Sequence, residues 1–425
     1  NSQVCKLLTY INFDNSMKPS ATLWQQQAYA LPAMATSFII GSLAIMQGMY
    51  AKHFGLSLIT IATIIFISRL FDAVTDPLIG YYSDRYHMRS GSRKPFVVAG
   101  GILFIISSYF LYAPVDLKTL NAIDAGTMQT SVNVSASYFL GWYIVFYFAW
   151  TLFEIPHLAW GGELATTSQE KTKIYSVRAA IMWIGALLFY VVPFLPFFET
   201  RAFTPQTLYW AVLGASCLMM PLLYLCVKTT PNSVGAQAAL HHSCQRQPTN
   251  LKALVRETLA NKPLLLFLTA IILFNFSIPG MWLTLLFIFA DTYLVLGERF
   301  AQLSLIGFST GIPMMAIWYW LANRWGKKTT LSIGLLFSAI GTFGTGLLSP
   351  GDSSIVPLSL LLILCFGMGG PAVNCLAPSI LADIIDYGTW KFGGNCGATY
   401  FSFYTLTAKT ATAIGSAIGL AIAGY

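Results

Sequence analysis

The sequence predicts an all-α membrane protein, and three observations support that prediction. Its 425 residues are 56% hydrophobic and only 9% charged, whereas about 25% of the residues in a soluble domain are charged. The apolar residues form spans of about 20 residues or more, the length that a helix needs to cross the hydrocarbon core. Lysine and arginine lie mainly in the short connections between these spans, so the net charge of +8 does not indicate a nucleic-acid surface.

Eleven apolar spans follow one another along the chain. Their approximate limits are 27–50, 55–81, 95–113, 136–160, 177–197, 206–227, 263–290, 301–322, 329–347, 355–379 and 398–423. A long polar stretch separates the sixth span from the seventh, which predicts an N-terminal half at residues 1–227, a linker at 228–262 and a C-terminal half at 263–425. Within the linker, LKALVRETLA has helical periodicity and predicts a short surface helix.

The distribution of positive charge predicts the topology, because lysine and arginine are enriched in short cytoplasmic loops. With the N-terminus placed in the cytoplasm, 17 basic residues fall in inner loops and 4 in outer loops. The sequence therefore predicts a multi-pass protein of the cell or inner membrane, with a cytoplasmic N-terminus and a cytoplasmic linker.

The second span ends in RLFDAVTDPLIGYYSDRYHMRSGSRKP, residues 69–95. Asp72 and Asp76 are four residues apart and share one helix face, and Arg69 precedes Asp72 by three. An ionised carboxylate at the bilayer centre costs about 2.5–3.5 kcal/mol, so such acids usually line an ion or substrate path. An Arg69–Asp72 ion pair that only orders helix packing is the alternative. The rest of the stretch predicts a basic loop, in which Asp84 can accept hydrogen bonds from arginine.

Other spans also carry polar residues. In the fourth, one helix face presents Tyr143, Tyr147, Trp150, Thr151 and Glu154. Arg178 opens the fifth span. Lys409 lies midway along the eleventh, on a face with Thr405, and an ammonium group there needs an acid partner or a water-lined cavity. A weak internal repeat relates YYSDRYHMRSGSRKP, after the second span, to WLANRWGKKTT, after the eighth.

These motifs resemble those of the major facilitator superfamily. The DxxxDP start and the RxGxR end of residues 69–95 look like one branch, the glycoside–pentoside–hexuronide cation symporters, to which the melibiose permeases belong and to which sodium-dependent lysolipid transporters are related. The resemblance implies two pseudo-symmetric six-helix halves that carry a solute with a cation by alternating access. Because the family has twelve spans and eleven are visible, we expect a twelfth helix outside this sequence.

The resemblance also implies roles for individual residues. The expected cation site consists of Asp72, Thr75, Asp76, Thr151 and Glu154. The expected substrate contacts are Tyr147, Trp150, Glu154, Arg178, Thr405 and Lys409. The expected cytoplasmic gate consists of Gly80, Asp84, Arg85, Arg89, Arg93, Glu163, Asp383, Asp386 and Lys391. Arg69 and Lys409 are expected to balance the charge of the three membrane acids, and the one negative charge left over predicts uptake of one Na⁺ or one proton.

Two departures from the family concern the solute. Thr36 stands where the first helix of the family has a sugar-binding acid, and Leu158 stands where a tryptophan stacks on the sugar. We expect a glycoside, pentoside or hexuronide, and a lysophospholipid or other amphiphile is the alternative. A non-transporting sensor and an intramembrane hydrolase are more distant alternatives, and hydrolysis is disfavoured because aspartic dyads take one acid from each of two segments.

These interpretations give a set of expected partners. We expect a small-molecule solute, a monovalent cation and the lipid bilayer, with no nucleic acid and with the protein as a monomer. We expect no enzymatic activity, no cofactor and no metal other than Na⁺ as the coupling ion.

Overall fold

The computed structural model describes residues 21–116, 119–120, 133–196, 198, 203–232, 260–296, 299–350, 355–392 and 396–423. Within these ranges the chain forms helices joined by short connections, and no strand occurs among them. The surface helix expected in the linker lies outside the described residues.

Six helices precede the linker among the described residues. They are α1, Leu23–His53; α2, Leu58–Ser90; α3, Lys94–Tyr112; α4, Ala136–Glu163; α5, Ser168–Val191; and α6, Pro205–Thr229. Helix α1 is broken into three pieces, and the second piece begins at Pro32, whose missing N–H makes it suited to a first helical turn.

Five helices follow the linker in the described part of the chain. They are α7, residues 262–293; α8, Phe300–Trp325; α9, Lys327–Thr345; α10, residues 355–392; and α11, Gly397–Ala423. Helix α7 contains π-helical turns at Phe276–Trp282 and Phe289–Tyr293, and α10 contains one at Ile363–Gly369.

These eleven helices confirm the eleven expected spans. Within the described ranges, eight of them are long and apolar enough to cross a membrane. Helices α2, α9 and α11 are not among those eight, although α2 and α11 carry Asp72, Asp76 and Lys409.

The predicted end of the second span is wrong. Helix α2 continues from residue 81 to Ser90, so Asp84, Arg85 and Arg89 are helical rather than part of a loop. The helix ends where Gly91 adopts a left-handed conformation, with φ of 67°, and donates its N–H to the carbonyl of His87. A glycine in this conformation sets the helix end, whereas the sequence-based limit followed the loss of hydrophobicity.

The two halves meet through α2 against α11, and through α5 against α8 and α10. Gly80 allows the first of these contacts, because a Cβ atom at this position would lie 2.8 Å from the Ser402 hydroxyl and 2.9 Å from the Ala398 carbonyl oxygen. The apolar core of the C-terminal half also includes Tyr175 and Trp183 of α5.

Candidate functional site

A buried group of polar side chains lies where α2, α4 and α11 meet. We call it the central cluster, and its members are Arg69, Asp72, Asp76, Thr151 and Lys409. The Lys409 ammonium donates to both carboxylate oxygens of Asp76, at 3.0 and 3.2 Å, and to the Thr151 hydroxyl, at 2.8 Å. Its distance to Asp72 Oδ2 is 3.6 Å. One side chain from the C-terminal half thus neutralises an acid of the N-terminal half.

Arg69 belongs to the same cluster. Its guanidinium donates to Asp72 Oδ2 at 2.9 Å, and Asp72 is only 1% exposed. The other oxygen of this carboxylate, Oδ1, is buried and has no hydrogen-bond partner among the described residues. The ion pair that the sequence suggested is therefore present, and it satisfies one of the two Asp72 oxygens.

Two aromatic side chains of α4 cover the cations of the central cluster. The Arg69 guanidinium carbon lies 3.9 Å from the centre of the Tyr147 ring, and the Lys409 nitrogen lies 5.1 Å from the centre of the Trp150 ring. Both distances are within the range of cation–π attraction. The predicted substrate roles of Tyr147 and Trp150 stay predictions, and in this structure both rings contact the basic residues.

Glu154 pairs with a different base from those that bind the two α2 acids. Its carboxylate accepts a hydrogen bond from Arg178 of α5 at 2.5 Å, and Arg178 is 5% exposed. The count of three acids against two bases is therefore wrong, because Arg178 is a third base and pairs with Glu154. With every group ionised, these acids and bases balance.

The two remaining hydroxyl groups of the predicted site bond to their own helices. Thr75 donates to the Phe71 carbonyl at 3.0 Å, and Thr405 donates to the carbonyls of Phe401 and Ser402, at 3.1 Å each. The hydroxyl oxygens keep lone pairs for a cation or a solute. Their assigned roles stay predictions.

No group of three or more His, Cys, Asp or Glu side chains is arranged to hold a metal ion in the part of the chain that the structure describes. A cation at the central cluster would therefore need hydroxyl or carbonyl oxygens in addition to the α2 carboxylates. Hard monovalent cations accept such oxygen ligands.

A second set of polar contacts lies at the end of the bundle where α2 leads into α3. Arg93 is fully buried and donates to Glu163 at 2.9 Å and to Asp84 at 2.8 Å. Asp84 also accepts the backbone N–H groups of Ala398 and Thr399, at 2.9 and 2.8 Å, and the Thr399 hydroxyl at 2.7 Å. These N–H groups belong to the first turn of α11, so a carboxylate on α2 caps a helix of the other half.

Ion pairs also tie α5 and α9 to α10 at this end. Lys171 bonds to the carboxylate of Asp386 and to the Ala382 carbonyl, the latter at 3.1 Å. Asp383 accepts from Lys327 of α9 at 2.6 Å. We call the whole set the gate cluster; its members are Asp84, Arg93, Glu163, Lys171, Lys327, Asp383 and Asp386.

Sequence reasoning treated Lys171 and Lys327 only as loop charges. The signal for Lys327 was its place in the internal repeat, where paired bases follow α8 as they follow α2. Three other predicted gate residues lie outside this cluster: Arg85 donates to Tyr81 at 3.4 Å on its own helix, Arg89 is exposed, and Lys391 lies over the Tyr387 ring. Their gate roles stay predictions.

The chain is similar in sequence to several known proteins. A family described as MFS/sugar transport protein matches residues 28–425. An uncharacterized symporter, YjmB, of Bacillus subtilis is 26% identical over 85% of this chain and 75% of its own length. An isoprimeverose transporter of Lactiplantibacillus pentosus is 24% identical over 87% of this chain and 73% of its own. A sodium-dependent lysophosphatidylcholine symporter of Danio rerio is 21% identical over 96% and 79%.

The fold is similar to solved structures as well. A bacterial homologue of the iron transporter ferroportin, solved in an outward-facing state, matches with a TM-score of 0.66 over 94% of this chain and 92% of that one. The two are 15% identical, so this likeness concerns the fold alone.

Proposed function

The chain belongs to the MFS/sugar transport protein family, whose match covers residues 28–425, and is thus a multi-pass membrane transporter; we propose that it is a symporter that couples a monovalent cation to a small solute by alternating access. The names of its relatives, which include two symporters and an isoprimeverose transporter, support this coupling. The proposal assigns transport to the chain and no catalysis.

The observation that carries the proposal is the position of the Lys409 ammonium on Asp76. A sodium ion or a proton that binds the α2 acids competes with this ammonium for the same oxygens. Once displaced, Lys409 lacks a counter-charge in a buried place, which is costly. A solute that offers an oxygen-rich or anionic group can restore that partner, so binding of the cation favours binding of the solute.

In this proposal, coupling comes from displacement of Lys409 by the ion on the α2 acids, and not from an imbalance of three acids against two bases. It needs no unmatched negative charge, since the acids and bases already balance. It favours solutes with several hydroxyl groups or a carboxylate, such as a glycoside, a pentoside or a hexuronide. Either Na⁺ or H⁺ serves as the coupling ion in this scheme.

The gate cluster supplies the alternating access. In this structure it holds the two halves together at one end of the bundle. The excess of basic residues in the predicted inner loops supports placing this end in the cytoplasm. We propose a monomer in the cell or inner membrane, with the N-terminus and the linker on the cytoplasmic side.

A lysolipid is the second candidate solute. An apolar cavity of about 460 Å³ lies between α1, α5 and α6, and its lining includes Phe38, Leu188, Trp210 and Leu218. Burial of an acyl chain in such a cavity gains about 0.8 kcal/mol per CH₂ group. None of the residues that line this cavity belongs to the central cluster, so a lysolipid would have to use both regions.

The test is transport by the purified chain in proteoliposomes. Uptake of a pentoside, a hexuronide, a neutral glycoside and lysophosphatidylcholine is measured with a sodium gradient, with a proton gradient and with neither. We expect one class to accumulate only with an ion gradient. Asp76→Asn should abolish that accumulation and spare downhill exchange, because the variant lacks the carboxylate for which cation and ammonium compete.

A matched control is Thr63→Ala on the same helix. Thr63 faces outward and its hydroxyl donates to the Ile59 carbonyl at 2.8 Å, so this variant should accumulate solute like the original chain. Accumulation by Asp76→Asn that still depends on the ion gradient would contradict the mechanism. Absence of ion-driven uptake for every solute class would contradict the proposed function.

A further inference from the structure

Ser68 differs from the other hydroxyl residues of α2. Thr63, Thr75 and Ser90 each donate to the carbonyl four residues earlier, at 2.8, 3.0 and 3.0 Å. A serine or threonine hydroxyl in a membrane helix commonly makes such a bond to the backbone of its own helix. Ser68 is completely buried, and its oxygen has no hydrogen-bond partner among the described residues.

Ser68 lies one helical turn before Asp72, on the same face of α2. The Asp72 Oδ1 atom is also buried without a hydrogen-bond partner in the described part of the chain. Two buried oxygen atoms without partners among the described residues, one of them on an acid, therefore lie one turn apart on the same face of α2. Buried polar atoms are paired in most proteins, so such a pair of exceptions requires a physical explanation.

The two acids of α2 differ in how many of their carboxylate oxygens accept a hydrogen bond. Both oxygens of Asp76 accept from Lys409, at 3.2 and 3.0 Å. Asp72 has one oxygen on Arg69 at 2.9 Å and the other unbonded. Asp72 Oδ1 is therefore available as a cation ligand while Lys409 still bonds to Asp76.

We propose that Ser68 is a ligand of the coupling ion, that this ion is sodium, and that it first binds between the Ser68 hydroxyl and Asp72 Oδ1. This proposal rests on the proposed function, since it takes the acids of α2 to be the site of the coupling ion. It adds a residue that the sequence motif did not indicate. It also gives an order of events. Sodium binds Asp72 first, and its positive charge then weakens the attraction between the two acids and the Lys409 ammonium.

The Ser68 oxygen should contribute more to the binding of sodium than to the binding of a proton at this position. A hard cation gains from each neutral oxygen in its shell. A proton bound to Asp72 needs no second ligand from the protein. Loss of the Ser68 oxygen should therefore weaken binding of sodium and leave protonation of Asp72 largely unchanged.

The experiment measures sodium binding alone, so it does not depend on the identity of the solute. The purified full chain is titrated with NaCl, with choline chloride keeping the ionic strength constant, and the midpoint of thermal unfolding is recorded. Binding to the folded state raises this midpoint until the site is saturated. In Ser68→Ala we expect the half-saturating sodium concentration to rise by about tenfold or more, as for loss of a hydrogen bond to a charged group.

Two further variants sharpen the test. Ser68→Cys keeps a side chain of similar shape but replaces the hard oxygen with sulfur, so it should also bind sodium at least about tenfold more weakly. Thr63→Ala removes a hydroxyl that already bonds to its own helix, and it should keep the sodium affinity of the original chain.

Two results would overturn the proposal. One is a sodium affinity in Ser68→Ala and Ser68→Cys equal to that of the original chain. The other is an original chain whose unfolding midpoint does not respond to sodium. In the first case accumulation driven by either ion gradient, and in the second case accumulation driven by a proton gradient, would leave the proposed function standing. Loss of all ion-driven accumulation would remove both.

Discussion

At the scale of single residues, Lys409 has the largest number of distinct partners in the central cluster. It bonds to Asp76 and Thr151 and lies beside Asp72 and Trp150. Each partner comes from the N-terminal half, so one side chain of α11 holds three charged or polar groups of α2 and α4. When the coupling ion displaces this ammonium, the contacts between α11 of one half and α2 and α4 of the other therefore change in a single step.

Lys409→Ala leaves Asp76 buried without its counter-charge. Removal of one partner from a buried ion pair costs about 3–5 kcal/mol, so we expect a large loss in the free energy of unfolding. A second change, Asp76→Asn, removes the stranded charge and should restore most of the stability. Asp72→Asn should restore less, because Asp72 keeps Arg69 at 2.9 Å and lies 3.6 Å from Lys409.

Denaturant or thermal unfolding of the original chain and of the three variants checks this order. Equal recovery by Asp72→Asn and Asp76→Asn would show that the ammonium interacts with the acid pair as a whole. Better recovery by Asp72→Asn would contradict the geometry described here.

The sequence could predict the Lys409 contact but not the Arg178 contact. An ammonium group midway along a membrane helix requires an acid, and the membrane acids Asp72, Asp76 and Glu154 were its expected partners. Glu154 and Arg178 lie on different helices, α4 and α5, and they meet at 2.5 Å only because of how these helices pack. Nothing in the spacing of the two residues indicates that packing.

At the scale of elements, the contact between Asp84 and the first turn of α11 joins two helices from different halves. The helix N-terminus carries partial positive charge from its unbonded N–H groups, and a carboxylate stabilises it. Asp84 does this while bonded to Arg93, so the α2–α3 connection and the α11 terminus share one carboxylate.

Asp84→Ala should loosen the first turn of α11. Loss of a capping side chain costs about 0.5–2 kcal/mol, and here the effect should appear as faster hydrogen exchange at the amides of Ala398 and Thr399. Ser135→Ala is the matched control, since Ser135 caps α4 through Tyr138 at 3.2 Å within a single half. Unchanged exchange at α11 in Asp84→Ala would contradict the assigned role of this carboxylate.

Span length and hydrophobicity were enough to predict the helices but not their irregular turns. The π-helical turn at Ile363–Gly369 leaves backbone groups displaced from the regular pattern, and the Trp318 indole donates to the Met368 carbonyl at 3.0 Å. That partner comes from α8. The local sequence cannot reveal a distortion whose stabilising bond is supplied by another helix.

At the scale of the whole molecule, alternating access requires the two halves to separate at the gate cluster. Cys375 of α10 reports on this separation because it is buried between the halves, with its sulfur 2.7 Å from the Ser176 hydroxyl of α5. Cys226 of α6 is equally buried, but its sulfur lies 3.7 Å from the Tyr29 carbonyl of α1, inside the N-terminal half. Opening at the gate cluster should therefore expose Cys375 and leave Cys226 buried.

A double variant, Asp84→Asn with Lys171→Ala, removes one charge from each of two contacts that join the halves in the gate cluster, Asp84 with α11 and Lys171 with α10. We expect a thiol-reactive maleimide to modify Cys375 several times faster in this variant than in the original chain, while modification of Cys226 stays slow, as judged by mass spectrometry of the labelled peptides. Global unfolding would expose both sulfurs together, so parallel rates at the two cysteines would mean that the variant is merely unstable. If Cys375 stays as protected as Cys226, the gate cluster does not hold the two halves together, and the barrier to opening lies elsewhere in the bundle.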